Sequence, residues 1–490
     1  MSSGIDAAQW QAFASPRRIA MVGASGRPGP LNFAMRLRRN NEQLGYPGKT
    51  YYINPRHDTI FDEPCYPDLA ALPEPVDVCL IASPSAQVID TVRAGIADGI
   101  RAFIVHSGDF GDGGARGRAR QAELEEVCAD GRAALIGPNC LGLYHSRGPV
   151  ALYGGDIPAG LARGGLAMIA GSGSVSVSML HLARRLGLHS LVSTGNEAVT
   201  TAEDILEHLV ADPDVRVIAM FVESLRRPEK FRELAMRAAA AGKPIVALKA
   251  GVSGRGAAAA MSHTGAMVGS GAAYRALFEQ VNVIGVDDFD ELAQTVALLS
   301  GLAGNVPDVP GVGIAGISGG KLSVVIDLAD RLDVPIADLS PRTVRRLGDT
   351  LQLEDGLAAG NPVDVGTGFR NRRPVTDTLA DCVRILSDDP GVGLVLVQQT
   401  ITGLAEASSP EAAWIDAMTR IAPELATPVA MLTDVHPLAA VAPADAHGGR
   451  VSAASATARS SQPVPVLAGL RPALLAVKRA VDWRHRAEHP

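Results

Sequence analysis

Arg18-Ile19-Ala20-Met21-Val22 runs directly into Gly23-Ala24-Ser25-Gly26-Arg27-Pro28-Gly29, and this junction decides the fold class. The apolar run predicts a buried strand, the glycines predict a tight turn, and residues 33–40 carry a helical pattern. The same unit recurs downstream. Thr50-Tyr51-Tyr52-Ile53, Asp77-Val78-Cys79-Leu80-Ile81-Ala82, Ala102-Phe103-Ile104-Val105-His106 and Ala134-Leu135-Ile136 predict four further strands. Alternation of this kind implies an α/β protein with a doubly wound parallel sheet. The first turn is spaced GxxGxxG instead of GxGxxG, and the second strand ends in Asn54-Pro55, where an NAD site places an acid on the ribose. Backbone N–H groups of the turn and the helix start still favour phosphate. A nucleotide without the nicotinamide-type ribose grip is the better reading; a tight turn with no ligand is the alternative.

The pattern repeats twice more. Leu166-Ala167-Met168-Ile169-Ala170 enters Gly171-Ser172-Gly173-Ser174 before a helix over 175–186. Leu191-Val192-Ser193-Thr194 precedes Gly195-Asn196-Glu197, and Val217-Ile218-Ala219-Met220-Phe221-Val222 ends in Glu223. In the last third, a strand over 311–317 enters Ser318-Gly319-Gly320 and a helix over 321–331. Asn361-Pro362-Val363-Asp364-Val365 reads as a rigid loop, 393–397 and 428–432 as strands, 441–463 as a surface loop and 472–486 as the closing helix. The turns at Ser172-Gly173-Ser174 and Ser318-Gly319-Gly320 leave N–H groups free at helix N-termini, which makes both candidate anion sites.

One histidine stands out. Pro244-Ile245-Val246-Ala247-Leu248 predicts a buried strand, and a small-residue loop then carries Met261-Ser262-His263-Thr264-Gly265-Ala266-Met267-Val268-Gly269-Ser270 ahead of a helix over 272–280. An imidazole there is largely neutral and nucleophilic near pH 7, so His263 is placed to meet phosphate or acyl groups. On the loop alone a helix cap or a solvated side chain is the better reading, and the rest of the chain reverses that preference. Glu223, at the same sheet edge, is placed to fix the tautomer of His263 or to pair with Arg226 or Arg227.

At 490 residues the chain is long enough for about three domains. With 47% apolar but only 4% aromatic residues, its cores must be Ala, Val, Leu and Ile, as β/α layers require. A net charge of −7 with no basic block argues against a nucleic-acid partner. Five dispersed cysteines without a CxxC pair point to a reducing compartment and no metal site. The polar start, broken by Pro16, is no signal peptide, and no apolar run is long enough to span a membrane, so the expected location is the cytoplasm.

Taken in order, Val22-Gly23-Ala24-Ser25, Asn54-Pro55, Ile136-Gly137-Pro138-Asn139-Cys140-Leu141-Gly142, Gly195-Asn196-Glu197, Lys249-Ala250-Gly251, Ser262-His263-Thr264-Gly265-Ala266 and Asn361-Pro362-Val363-Asp364 form a recognisable series. The chain resembles the NDP-forming acyl-CoA synthetases, the superfamily of succinyl-CoA synthetase and ADP-forming acetyl-CoA synthetase, and looks like their alpha-type half. The resemblance implies a Rossmann-like CoA-binding domain (1–150), a flavodoxin-like domain with a phosphohistidine loop (151–305) and a second flavodoxin-like ligase domain (306–490). It makes His263 the phosphohistidine and Glu223 its supporting acid. Ser172, Gly173, Ser174, Ser318, Gly319 and Gly320 become phosphate-binding, and Gly23, Ser25, Gly26, Asn54, Pro55, Ser83, Pro84 and Asn139 cofactor-binding.

The implied reaction joins a carboxylic acid to coenzyme A at the expense of an NTP, through phosphohistidine. No stretch resembles the family's ATP-grasp module, so the resemblance implies a hetero-oligomer in which an ATP-grasp beta subunit handles ATP or ADP with Mg²⁺. Two departures touch the phosphate pocket: Ala170-Gly171-Ser172-Gly173 replaces the usual Ser-Gln-Ser-Gly, and Ile317-Ser318-Gly319-Gly320-Lys321-Leu322 replaces Asn-Ser-Gly-Gly-Pro-Gly. The alternatives are an acyl- or carbamoyl-phosphate-dependent transferase of the same superfamily and a non-catalytic CoA-sensing homologue.

Overall fold

The computed structural model of the protein describes residues 4–27, 29, 32–184, 186–257, 270–354, 357–366, 373–401, 410–434 and 464–488. It contains three sheets in two compact units, Met1–Gly285 and Val286–Pro490.

The first sheet contains β1 (Arg18–Val22), β2 (Lys49–Ile53), β3 (Thr59–Ile60), β4 (Glu63–Tyr66), β5 (Val78–Ile81), β6 (Ala102–Val105) and β7 (Ala134–Ile136), in the order β3-β4-β2-β1-β5-β6-β7. All its pairings are parallel except β3 with β4. From β1 the chain builds outward through β2 on one side and β5 on the other, so the order reverses between β1 and β5. Crevices at such switch points are where doubly wound sheets bind ligands. Continuous burial along β5 and β6 explains why the strands read as unbroken apolar runs. The helix Phe33–Leu44 that follows β1 is capped by Asn32, whose side chain accepts from Met35 N at 2.9 Å, and ends on Gly45 at φ +68°.

The second sheet contains β8 (Gly142–His145), β9 (Val150–Tyr153), β10 (Arg163–Ala170), β11 (Leu188–Ser193), β12 (Val217–Val222), β13 (Ile245–Lys249) and β14 (Ile284–Val286), ordered β14-β13-β12-β10-β11-β8-β9. Strands β10 to β13 are parallel and reverse order between β10 and β12. The sequence reading missed β8 and β9, which pair antiparallel with each other and, through β8, with β11. The turn Ser146-Arg147-Gly148-Pro149 separates runs of only four residues each, too short to show a strand period, and β9 packs against the helix Phe33–Leu44. Asn40 and Asn41 of that helix bond the backbone of 151–157.

The second unit holds β15 (Val312–Gly316), β16 (Val363–Asp364), β17 (Leu394–Gln398), β18 (Val429–Thr433) and β19 (Val466–Ala468), all parallel in the order β16-β15-β17-β18-β19. Val363-Asp364, read from the sequence as loop, is a short strand on β15. The helix Phe289–Gly301, read with the middle domain, packs in this unit. Gln294 accepts from Ala468 N at 2.8 Å, and Arg479 of the closing helix Leu470–Glu488 pairs with Glu291 at 2.6 Å. Among the described residues no helix is long and apolar enough to cross a membrane.

Candidate active site

The candidate residues of the first sheet gather at the carboxyl ends of β1, β2, β5 and β7. Gly23 has φ +80°, and a Cβ there would stand 2.8 Å from the backbone of Ala82 and Ser83, so only glycine lets the two turns approach. Asn54 pins the first turn, donating from Nδ2 to Ala24 O at 2.7 Å and accepting from Arg56 N at 3.0 Å. Ser25 Oγ accepts from Arg27 N at 3.2 Å. Gly26 stands nearly clear of neighbours, and Pro55 follows Asn54 in the turn after β2. The buried Ser83 hydroxyl has no hydrogen-bond partner among the described residues, and Pro84 is the N-cap of the helix Ser85–Ala97. A hydroxyl without a partner beside a helix N-terminus fits a site made for a polar ligand. Asn139 sits at φ +59°, with its N–H on Ser107 O at 2.9 Å.

In the second sheet the carboxyl ends of β10, β11 and β12 enclose a small cavity of about 30 Å³, lined by Gly171, Asn196, Glu197, Glu223 and Arg226 among others. A Cβ on Gly171 would lie 3.8 Å from Glu223 Cδ, so the carboxyl of Glu223 lies over the turn that opens the helix Gly173–Ala183. Ser172 caps that helix, and its Oγ is 3.1 Å from Ser174 Oγ. Arg227 makes a two-pronged contact with buried Asp204 at 2.7 and 2.9 Å, and Arg226 donates to Asn196 O at 3.0 Å. Lys249, at the end of β13, reaches the backbone of Glu223. Its Nζ donates to Glu223 O at 2.9 Å and lies 4.6 Å from the Tyr274 ring centroid. Burial lowers the Lys249 ammonium, opposed by the Glu223 charge. His263 and its flanks, 258–269, fall outside the described residues.

Glu197, in the stretch Gly195-Asn196-Glu197, has no role predicted from the sequence. Burial and the neighbouring Glu203 push its carboxyl up to about 7, against a hydrogen bond from Thr194 and the charge of Arg226. Its signal in the sequence was an acid directly after a strand and a glycine.

The second unit has its own cluster at the ends of β15 to β18. Ser318 is the N-cap of the helix Gly319–Arg331. A Cβ on Gly319 would stand 2.8 Å from Asp364 Oδ2, whereas Gly320 has no neighbour within 4 Å. Lys321 Nζ pairs with Asp434 at 2.9 Å and also bonds Thr400, which donates to Asp434 at 3.0 Å. Burial raises the Asp434 carboxyl, but Lys321 and Thr400 outweigh it and hold the group below the usual range. Lys321, Thr400 and Asp434 were not singled out from the sequence, because only the sheet brings them together.

Away from these edges, His145, His189 and Asp212 converge with ligand-type atoms within 4.8 Å. Arg147 already engages Asp212 at 2.9 Å, and its N–H donates to His145 Nδ1 at 3.1 Å. All five cysteines are free; burial pushes the Cys140 thiol up to about 12.

Glycine or serine turns at the switch points of parallel sheets define a doubly wound class that handles phosphate-bearing ligands. Comparison with known proteins narrows this. Residues 17–146 match the family described as CoA binding domain, and residues 163–299 match the Succinyl-CoA ligase like flavodoxin domain. A trans-feruloyl-CoA synthase from an unknown prokaryotic organism is 36% identical over 356 residues, covering 71% of this chain and 49% of that protein. The alpha subunit of acetate–CoA ligase [ADP-forming] II from Pyrococcus furiosus is 27% identical over 386 residues, covering 78% of this chain and 81% of that subunit. The structure of the dinucleotide-forming acetyl-coenzyme A synthetase 1 from Ca. Korarchaeum cryptofilum, in complex with phosphate and ADP, shares the fold. Its TM-score is 0.81 at 23% identity, covering 98% of both chains. The chain spans about half the length of the first curated relatives it matches. It belongs to the NDP-forming acyl-CoA synthetase superfamily, with an alpha-type arrangement of domains.

Proposed function

We propose that the chain is the alpha-type part of an NDP-forming acyl-CoA synthetase, which converts a carboxylate, CoA and an NTP to acyl-CoA, NDP and phosphate. The observation that carries this reading is the Glu223 carboxyl lying over the Gly171 turn at the reversal point of the second sheet. His263 is the phosphoryl carrier and Glu223 its orienting acid. Direct thioester formation from a carboxylate is uphill, so an energy carrier is needed. A neutral imidazole nitrogen takes a phosphoryl group and passes it to a carboxylate, and the CoA thiol attacks the resulting acyl phosphate. Positioning and charge stabilisation dominate such chemistry, which suits the helix starts at Ser172–Ser174 and Ser318–Gly320 as phosphate-binding groups. CoA binds at the β1/β5 crevice through Gly23, Ser25, Gly26, Asn54, Pro55, Ser83, Pro84 and Asn139.

ATP or ADP with Mg²⁺ is handled by an ATP-grasp partner. Among the described residues no P-loop supplies a triphosphate grip, and a similar protein is named as an alpha subunit. The test is thioester formation from ATP and a panel of short-chain and aromatic carboxylates. The chain with an ATP-grasp partner should form acyl-CoA and ADP, and the chain purified free of other protein should not. ATP-dependent turnover by the lone chain at an ordinary rate would overturn the division of labour.

A further inference from the structure

The loop after β11 ties the two sheets of the first unit together. The amides of Asn196, Ala198 and Thr200 donate to Pro138 O, Gly137 O and Leu135 O at 2.9, 3.1 and 3.1 Å, beside the turn that ends β7. Gly195, at φ +62°, permits this contact, because a Cβ there would stand 2.3 Å from Pro138 O. Asn196 then faces the first sheet. Its Nδ2 donates to Asp112 at 2.7 Å, and its Oδ1 accepts from Asn139 Nδ2 at 3.4 Å. The next residue, Glu197, has φ +54°, a left-handed conformation uncommon for any residue with a Cβ, and it lines the same cavity as Glu223. Thr194 Oγ1 fixes one oxygen, donating to Oε1 at 2.7 Å. One dipeptide thus places an acid at the cavity while its neighbour holds a residue of the CoA crevice.

The charged and titratable groups around Glu197 come from three segments. Glu203, fully buried, belongs to the helix Ala202–Ala211. Its Oε1 accepts from Arg227 N at 3.1 Å, and its Oε2 has no partner among the described residues. Glu223 and Arg226 follow β12, and Tyr274, on the helix Gly271–Gln280, feels both Glu197 and Glu203. Two carboxyls sharing a poorly solvated space favour keeping a proton on one of them, here Glu197, so the group changes charge near neutral pH.

We propose that Glu197 is the general base that takes the thiol proton of CoA as sulfur attacks the acyl phosphate. The C–S bond forms, the bond between the acyl carbon and the phosphate oxygen breaks, and the proton passes from sulfur to Glu197 and on to the departing phosphate. This rests on the acyl-phosphate reading given under the proposed function. A base whose charge changes near the working pH combines availability with proton-transfer drive.

The test uses the full chain, acetyl phosphate and CoA, and follows thioester formation without nucleotide. The wild-type rate should rise with pH to a plateau, with a midpoint near 7. Glu197→Gln should lower kcat by on the order of a hundredfold, leave KM for CoA unchanged and flatten the pH profile. Glu197→Asp, a control for folding, should keep the rising limb at a reduced kcat. A Glu197→Gln protein with the wild-type rate and profile overturns the proposal while leaving the acyl-phosphate reading intact. No thioester from the wild-type chain, whether acetyl phosphate or the acyl phosphate of a longer or aromatic acid is supplied, overturns that reading and the inference with it.

Discussion

The carboxyl carbon of Glu223 lies 3.8 Å from the position that a Cβ on Gly171 would occupy. The first residue after β12 thus covers the first residue after β10, at the point where the second sheet reverses strand order. Lys249 bonds the Glu223 backbone carbonyl, a contact that removing the side-chain charge leaves in place. Glu223→Gln should therefore fold normally and slow phosphorylation of His263 by on the order of a hundredfold, within the range of acid–base and orienting effects. Radiolabel incorporation against time measures this. Full labelling rates in the variant would reduce Glu223 to a structural acid.

The first sheet is expected to bind CoA and not NAD. Asn54, where an NAD site would place a ribose-binding acid, spends its side chain on Ala24 O and Arg56 N, so it steadies the turn. Calorimetry on the full chain should give heat with CoA and none with NAD; the reverse would revive a dehydrogenase-like reading.

Gly195→Ala should destabilise the first unit by about 1–3 kcal/mol, because φ +62° is strained for alanine and the methyl meets Pro138 O. Thermal unfolding should move down by several degrees, and a variant melting with wild type would show that the loop can shift without cost.

Acid should destabilise the protein through His106. This imidazole is 7% exposed, stacks on Phe33 at 4.3 Å and has its Nδ1 3.0 Å from Cys140 O. Burial lowers its pKa to about 4, against the hydrogen bond to Cys140. The folded value lies below the unfolded one of about 6.5, so the unfolded chain binds the proton first. Stability from this group is whole above pH 6.5, declines as pH falls toward 4, and the loss there approaches roughly 3 kcal/mol. Denaturant unfolding from pH 7 to 4 should show that slope, and His106→Phe should flatten it. An unchanged slope would place the proton elsewhere.

Much of this architecture was legible because parallel strands buried on both faces leave unbroken apolar runs, as in β5, β6 and β13. The turns after β1, β10 and β15 were legible because glycine and serine there have few other uses. What escaped notice depends on long-range packing. β9 and the turn after it are held by Asn41 and Asn40, which bond Ala151 N and Gly155 O from a helix about 110 residues earlier. Lys321 meets Asp434 only because β15, β17 and β18 are neighbours. Glu197 was quoted but unassigned, since nothing local tells that Glu203 and the closing cavity will raise its pKa.

Phosphoryl transfer through His263 is tested by the chemical identity of the phosphorylated residue. The full chain should be incubated with radiolabelled inorganic phosphate and acyl-CoA thioesters of short-chain and aromatic acids, then mapped by peptide mass spectrometry. One acid-labile, base-stable phosphoadduct is expected on His263, lost in His263→Asn. Labelling of His263→Asn equal to wild type, or no adduct with any thioester of the panel, would contradict that expectation.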